Sequence, residues 1–213
     1  MVKTDKSDYM QKTLRFYEDN ADEYIKNTSD MKDHEWLERF SALLPPGGRV
    51  LDIGCAGGRD SQWFAEKGFE VFGIDFSPLM IERARAAITR VSFSTMNILE
   101  LEFPQNFFDG IWCSCVLIHL SKTDVPKAFE EMRRVLRVGG VLYLLVKQGE
   151  GEGIEKDKRY GGAEKYSSYF TEQELKDLFR SNNFELQELT GLQERVDSYR
   201  AKDRIFMIGR RIS

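Results

Sequence analysis

The sequence predicts an α/β fold, a mostly parallel sheet with helices on both faces. Three observations predict it. From residue 49 onward, short apolar runs alternate with helix-length amphipathic stretches. The run from Val141 to Val146 is almost wholly apolar, as a strand covered on both faces must be. The stretch Arg49-Val50-Leu51-Asp52-Ile53-Gly54-Cys55-Ala56-Gly57-Gly58-Arg59-Asp60 reads as a buried strand, a glycine-rich corner and a helix start. Glycines allow the sharp turn and a close approach by a ligand, and the free N–H groups of the following helix offer hydrogen-bond donors.

Taken in order, residues 7 to 44 read as helical, with Asp8 or Ser7 as the opening cap and Leu14, Phe16, Tyr17, Ala21, Tyr24 and Ile25 at helix-like spacing. A second helix there holds Trp36, Leu37, Phe40, Leu43 and Leu44, and Pro45-Pro46-Gly47-Gly48 stops it. After the corner, a helix from Arg59 to Lys67 is closed by Gly68. Strand two, Glu70 to Asp75, leads to Ser77-Pro78, a cap followed by a first-turn proline. The helix after it covers 78–88, and strand three runs from Val91 to Thr95. Residues 99–107 read as loop. Strand four spans Phe108 to Cys115, and a helix over 122–136 is expected to stop at Gly139-Gly140 before strand five. Residues 148–168, glycine-rich, acidic and then rich in tyrosine, read as a mobile loop. Thr171 with Glu174 forms a capping box for a helix at 172–181, and strands near 184–189 and 204–210 follow. The expected organisation is one domain over 1–213: an N-terminal helical cap (1–44), a cofactor-binding core (45–147), a lid-like insertion (148–170) and the C-terminal part of the sheet (171–213).

Composition narrows the classes. The chain has 213 residues, 41% hydrophobic and 31% charged, with a net charge of −4 from 31 basic and 35 acidic residues. That balance gives no broad basic face for nucleic acid, and no apolar run approaches the roughly 20 residues of a membrane span. No apolar core follows Met1-Val2-Lys3, so no secretory signal is expected and the cytoplasm is the default location. Three cysteines, Cys55, Cys113 and Cys115, read as reduced thiols, and with His34 and His119 as the only imidazoles no metal site is expected.

Ligands of such sheets bind outside the carboxyl ends of the strands. The glycine corner, Asp75, Asn97 and the segment Cys113 to Leu120 all fall at or just after a strand's carboxyl end, so four separate segments converge on one crevice. Asp75 is placed to accept hydrogen bonds from ribose hydroxyls, although it could instead cap the next helix. A dinucleotide fingerprint, G-x-G-x-x-G, fits poorly, because alanine stands at the second glycine and arginine at the third.

The corner instead resembles the first motif of class I S-adenosylmethionine-dependent methyltransferases, an acid followed by G-x-G-x-G. Asp52, Gly54 and Gly58 match, and Ala56 replaces the middle glycine. The resemblance extends in order and spacing over about residues 45–147. It takes in Val71 to Ser77, Met96-Asn97-Ile98 (asparagine standing where aspartate is commoner), Phe108 to Leu120, and Phe129 to Val146. It implies a Rossmann-like, doubly wound, mostly parallel seven-stranded sheet in the order 3-2-1-4-5-7-6, with the last strand antiparallel. It also implies S-adenosylmethionine as cofactor, with S-adenosylhomocysteine as product. In such enzymes the methionine end lies by Asp52, Gly54, Cys55, Ala56 and Gly58. The ribose lies at Asp75, with Phe76 and Ser77 beside it, the adenine at Asn97 and Ile98, and the methionine arm along Cys113 and Leu120. Phe76 either packs on the adenine or belongs to the core.

His119, just after strand four, is the candidate general base; the other reading is a histidine that orders its loop. Cys113 and Cys115, two apart on a strand, should face the same side. Tyr17 and Tyr24 on the N-terminal helices, and Tyr166 and Tyr169 in the insertion, are candidate covers of the substrate, with Tyr9, Phe16, Tyr160 and Phe170 beside them. The expected function is in-line transfer of methyl to a small molecule, with no nucleic-acid or membrane partner. A macromolecular methyltransferase, a non-catalytic cofactor-binding module and a nicotinamide oxidoreductase are the alternatives.

Overall fold

The computed structural model describes residues 6–29, 34–192 and 204–213. Met1–Asp5, residues 30–33 of the expected 7–44 helical stretch, and residues 193–203 lie outside the described residues. The helices are α1 Lys6–Asp19, α2 Ala21–Ser29, α3 His34–Ser41, α4 Arg59–Glu66, α5 Pro78–Ala87, α6 Val125–Val135 and α7 Glu172–Ser181. The strands are β1 Arg49–Ile53, β2 Glu70–Asp75, β3 Ser92–Thr95, β4 Phe108–Ser114, β5 Leu136–Lys147, β6 Glu152–Asp157, β7 Ala163–Ser168, β8 Phe184–Leu192 and β9 Arg204–Arg211.

Seven strands form one sheet in the order β3-β2-β1-β4-β5-β9-β8. Strands β1 to β5 pair in parallel, and β9 runs antiparallel to both β5 and β8. Counting only this sheet's strands, the order is the expected 3-2-1-4-5-7-6. Its apolar strands are buried on both faces because successive residues point to opposite sides. Leu51, Ile53, Ile74 and Ile111 pack with Phe129 of α6 and Phe179 of α7. Val50, Val71 and Trp112 pack with Phe40 of α3, Phe64 of α4 and Ile81 of α5.

Three expectations are corrected. Helix α1 begins at Lys6, so Asp8 sits in its first turn and is not its cap. Helix α6 ends at Val135, and β5 already starts at Leu136, which pairs with Phe108; the strand runs through Gly139-Gly140. Burial of Leu136 in the core extends the backbone there. The third correction is the insertion. Residues 148–168 are not a loop but carry an antiparallel hairpin, β6 with β7, joined by a short turn at Lys158–Tyr160.

Polar contacts hold this hairpin. Lys165, 5% exposed, donates to Asp157 at 2.7 Å and lies over the Phe16 ring of α1 at 4.2 Å. Arg159 donates to the same carboxylate. Ser168 is buried and its hydroxyl donates to the Leu120 carbonyl. The Arg159 guanidinium holds the Asp157 carboxyl well below the usual carboxylate range, against the opposing effect of burial. Asp157→Ala is expected to lower stability by about 2 kcal/mol in urea denaturation. This is less than the usual loss for a broken buried pair, because Lys165 can relieve its burial by shedding a proton. Since the folded-state pKa of Asp157 is depressed, the difference between wild type and variant should be complete above pH 4 and shrink as the pH falls below 3.8.

Candidate active site

The carboxyl ends of β1, β2, β3 and β4 meet under α1 and α2. The corner after β1 turns because Gly54 has φ +70°; a side chain there would drive its Cβ to 2.3 Å from Val116. The amides of Gly54 and Cys55 both donate to the Ile74 carbonyl, at 2.7 and 3.0 Å. Ala56 stands at φ +46°, in the left-handed region that favours glycine. Its amide donates to Asp75 Oδ2 at 2.9 Å, while the other carboxylate oxygen accepts from the Ser77 amide at 2.9 Å. The cap of α5 is Ser77, whose hydroxyl accepts from the Met80 amide at 3.2 Å. Asp75 is therefore not a helix cap. It ties two loops together and keeps lone pairs facing the crevice. Burial raises its pKa against the amides that favour the charged form.

Two adjoining cavities open here. The first is lined by Met80, Met96 and Ile98 along with Asp75, Phe76 and Asn97, and reaches Leu120 and His119. The second runs from the glycine corner, past Asp52, Cys55 and Arg59, to Lys147, Arg159, Lys165 and Arg204. Gly54, Ala56, Ser114, Cys115, Tyr17, Tyr24 and His119 line both. Phe76 is 38% exposed at the first cavity, so it is not a core residue. Asn97 accepts from the Leu99 amide at 3.0 Å and shapes the turn after β3. Asp52 is buried and accepts from the Ser61 hydroxyl at 2.5 Å; burial, reinforced by the Asp60 charge, pushes its pKa up to about 7.

Four expected site residues sit elsewhere. Gly58 lines neither cavity; at φ +83° it opens α4, and a Cβ would lie 2.7 Å from Ile88 and 2.8 Å from Phe93. Cys113 is 1% exposed in the core, whereas Cys115 reaches the cavities. Strand alternation does not extend to Cys115, because β4 ends at Ser114 and Cys115 has φ +60°; Cys115 packs against the cores on both sides of the sheet. Burial raises the Cys55 and Cys113 thiols, so neither is a poised nucleophile. Tyr166 turns its ring onto Tyr9, at 4.6 Å between centroids, and meets the site through its carbonyl. Tyr169 donates to Glu155 and lies beside Lys147.

His119 ends a short 3-10 turn, Leu117–His119. Its Nδ1 lies 2.9 Å from the Tyr166 carbonyl and its Nε2 2.7 Å from the Tyr17 hydroxyl. A carbonyl can only accept, so Nδ1 carries the proton and Nε2 accepts from Tyr17. Both ring nitrogens are thus engaged. Burial, followed by the Lys165 charge, pulls the His119 pKa down to about 3. Tyr17 is held well above its ordinary pKa by burial and makes edge contacts with Phe16 and Tyr24. The helices α1 and α2 are fastened over the cavities by Tyr9 to Asp124 at 2.6 Å, the Tyr166 amide to Thr13 at 3.1 Å, Arg83 to Asp22 at 2.8 Å and Arg59 to the Thr28 carbonyl at 3.0 Å. Sequence reasoning missed Thr13, Cys115 and the four cations at the far end of the second cavity, which come from separate elements.

With this geometry in place, residues 50–140 match the model of a family described as methyltransferase domain. The chain is 33% identical over 131 residues to the putative methyltransferase YqeM of Bacillus subtilis, covering 59% of this chain and 53% of that protein. It is 38% identical over 137 residues to the probable methyltransferase ltbC of Aspergillus luteorubrus, covering 56% and 48%. The chain thus spans about half the length of the curated relatives it matches. Among solved structures, it superposes with a TM-score of 0.79 on a Burkholderia thailandensis 1,6-didemethyltoxoflavin-N1-methyltransferase. That match is 20% identical and covers 99% of this chain and 92% of the other. Residues 50–140 thus resemble a methyltransferase domain, and the superposition shows a shared fold.

Two outcomes follow from the site. Replacing Ala56 by glycine removes left-handed strain of about 1–2 kcal/mol and adds about 0.5–1 kcal/mol of chain entropy to the unfolded state. Ala56→Gly should therefore gain roughly 0.5–1 kcal/mol, read as a higher Tm. His119 is neutral in the folded chain and titrates at an ordinary 6.5 when unfolded. The unfolded state takes the proton first, so stability is retained above pH 6.5 and falls as the pH drops from 6.5 towards 3. Between pH 7 and pH 5 wild type should lose up to about 2 kcal/mol more than His119→Gln in paired denaturant titrations.

Proposed function

We propose that this chain binds S-adenosylmethionine in the first cavity and catalyses transfer of its methyl group to a small-molecule acceptor by in-line displacement. One observation carries the reading: a glycine corner, a strand-end carboxylate, an asparagine turn and the end of β4 line one crevice. The residues fit the cofactor's chemistry. Met80, Met96, Ile98 and Phe76 offer an apolar slot for an adenine ring, with Asn97 at its edge. Asp75 has lone pairs for ribose hydroxyls, and the corner beside Asp52 takes the amino-acid end. When bound, the cofactor supplies a methyl group already activated on a sulfonium. The chain's own task is to position the acceptor and exclude water.

Helices α1 and α2 serve the second purpose. Tyr17 and Tyr24 line both cavities, and their helices cover part of each. His119 acts here through Tyr17, holding that hydroxyl in place, and is not a free base. The partial cover that these helices give both cavities favours a small acceptor over a macromolecule. The names of the matched proteins agree with this: one is a methyltransferase of 1,6-didemethyltoxoflavin, and another, from Synechocystis, of 2-methyl-6-phytyl-1,4-hydroquinone.

Calorimetry with S-adenosylmethionine and NADH side by side tests the donor. Binding of the first and not the second is expected, and the reverse would reject the reading. Asp75→Ala should weaken S-adenosylmethionine at least about tenfold, since it removes charge-assisted hydrogen bonds and leaves the Ala56 and Ser77 amides unpaired. An affinity within about twofold of wild type, in a variant with unchanged circular dichroism, would show the ribose to be placed wrongly. Incubation with a metabolite extract, followed through S-adenosylhomocysteine release, tests transfer itself.

A further inference from the structure

We propose that the far end of the second cavity is an acceptor site for a small molecule bearing a carboxylate or phosphate. This rests on the methyl-donor reading above and names the class of acceptor. Four cations from different elements face one space: Lys147 at the end of β5, Arg159 in the hairpin turn, Lys165 on β7 and Arg204 at the start of β9. Strand register alone makes this costly. Lys147 pairs directly with Arg204 across the antiparallel β5–β9 ladder. Residues so paired project from the same face, and like charges there repel.

The protein compensates the charge in part. Asp157 accepts from Lys165 and Arg159, and Glu155 accepts from Lys147 at 3.1 Å. Among the described residues Arg204 has no carboxylate partner. Among the described residues, neither Glu155 nor Asp157 lines the cavity, whereas Lys147 and Arg204 do. At the other end Arg59 is already matched by Asp60, at 2.7 Å.

The donors are also held in place. Lys147 is fixed by Glu155 and by the Ser167 hydroxyl at 3.1 Å, which leaves a third N–H for a ligand. Lys165 is fixed by Asp157 and the Phe16 ring. Ammonium and guanidinium groups positioned beforehand suit the oxygens of a carboxylate or phosphate. The field they create reaches the cavity wall, where Lys165 and Lys147 both oppose protonation of His119. His119, Tyr17 and Cys115 line both cavities, so a molecule anchored on the cations extends towards the first cavity.

The test titrates inorganic phosphate, benzoate and neutral benzamide into the chain saturated with S-adenosylhomocysteine, at constant ionic strength so that screening is equal. Phosphate or benzoate should bind saturably and benzamide should not; the tighter of the two anions identifies the acceptor's charged group. Lys147→Gln and Arg204→Gln should each weaken that anion about tenfold, while S-adenosylhomocysteine affinity stays within about twofold. Retained cofactor affinity also shows that the variants fold. The proposal is overturned if benzamide matches the anions, or if both substitutions leave anion binding unchanged. It is also overturned if cofactor affinity falls in step with anion affinity, because the cations would then hold the cofactor's own carboxylate. Failure of wild type to bind S-adenosylhomocysteine would instead reject the donor reading, and the acceptor assignment with it.

Discussion

The Asp75 carboxylate is the interaction on which the site depends. It lies at the carboxyl end of β2, and each oxygen accepts from a different loop, one from the Ala56 amide and one from the Ser77 amide. A single side chain therefore sets the distance between the corner after β1 and the start of α5. Those loops form the floor and one wall of the first cavity. A buried carboxylate is costly unless hydrogen-bonded, and these amides supply the bonds. They also explain why Ala56 is tolerated at φ +46°: its left-handed backbone aims the amide at Asp75. Loss of this bond would leave two amides unpaired and remove the constraint that keeps Ala56 strained.

The central sheet was legible because its strands are buried on both faces. Leu51 and Ile53 face one core while Val50 faces the other, so apolar residues run on without alternation. The helix starts were equally legible where one side chain makes the cap, as Ser77 does for α5 and Thr171 for α7. The hairpin β6–β7 was not. Its strand Glu152–Asp157 contains one large apolar residue, Ile154, which is exposed. What orders it is a buried cation–carboxylate pair, two buried serines and contacts with α1, more than a hundred positions away. Such pairings leave no periodic trace in a sequence.

The same distinction runs through the site residues. Asp75 and Asn97 both line the first cavity, as their place at a strand's carboxyl end suggests, since that end is the ligand side of a parallel sheet. Gly58 and Cys113 line neither cavity, because position near the corner does not decide direction. Gly58 is glycine because Ile88 and Phe93 leave no room for a Cβ. Cys113 obeys strand alternation and points into the core, while Cys115 lies past the strand's end, where alternation no longer holds. Tyr166 shows that an aromatic residue beside a site can pack with its ring while its own carbonyl meets the site.

His119 shows how the surroundings assign a role that residue type leaves open. A histidine beyond β4 with a free nitrogen would be a base. Here the Tyr166 carbonyl accepts from the Nδ1 N–H, which leaves Nε2 to accept from Tyr17. Lys165 and Lys147 then oppose any second proton. The neutral imidazole so produced is a fixed acceptor, and it latches α1 across the mouth shared by both cavities. The two cations that depress His119 are among the four that line the far end of the second cavity. An anion bound there would weaken their field at the imidazole and make His119 easier to protonate. A protonated Nε2 can no longer accept from Tyr17, so the latch and the charge of the two lysines are electrostatically linked through one ring.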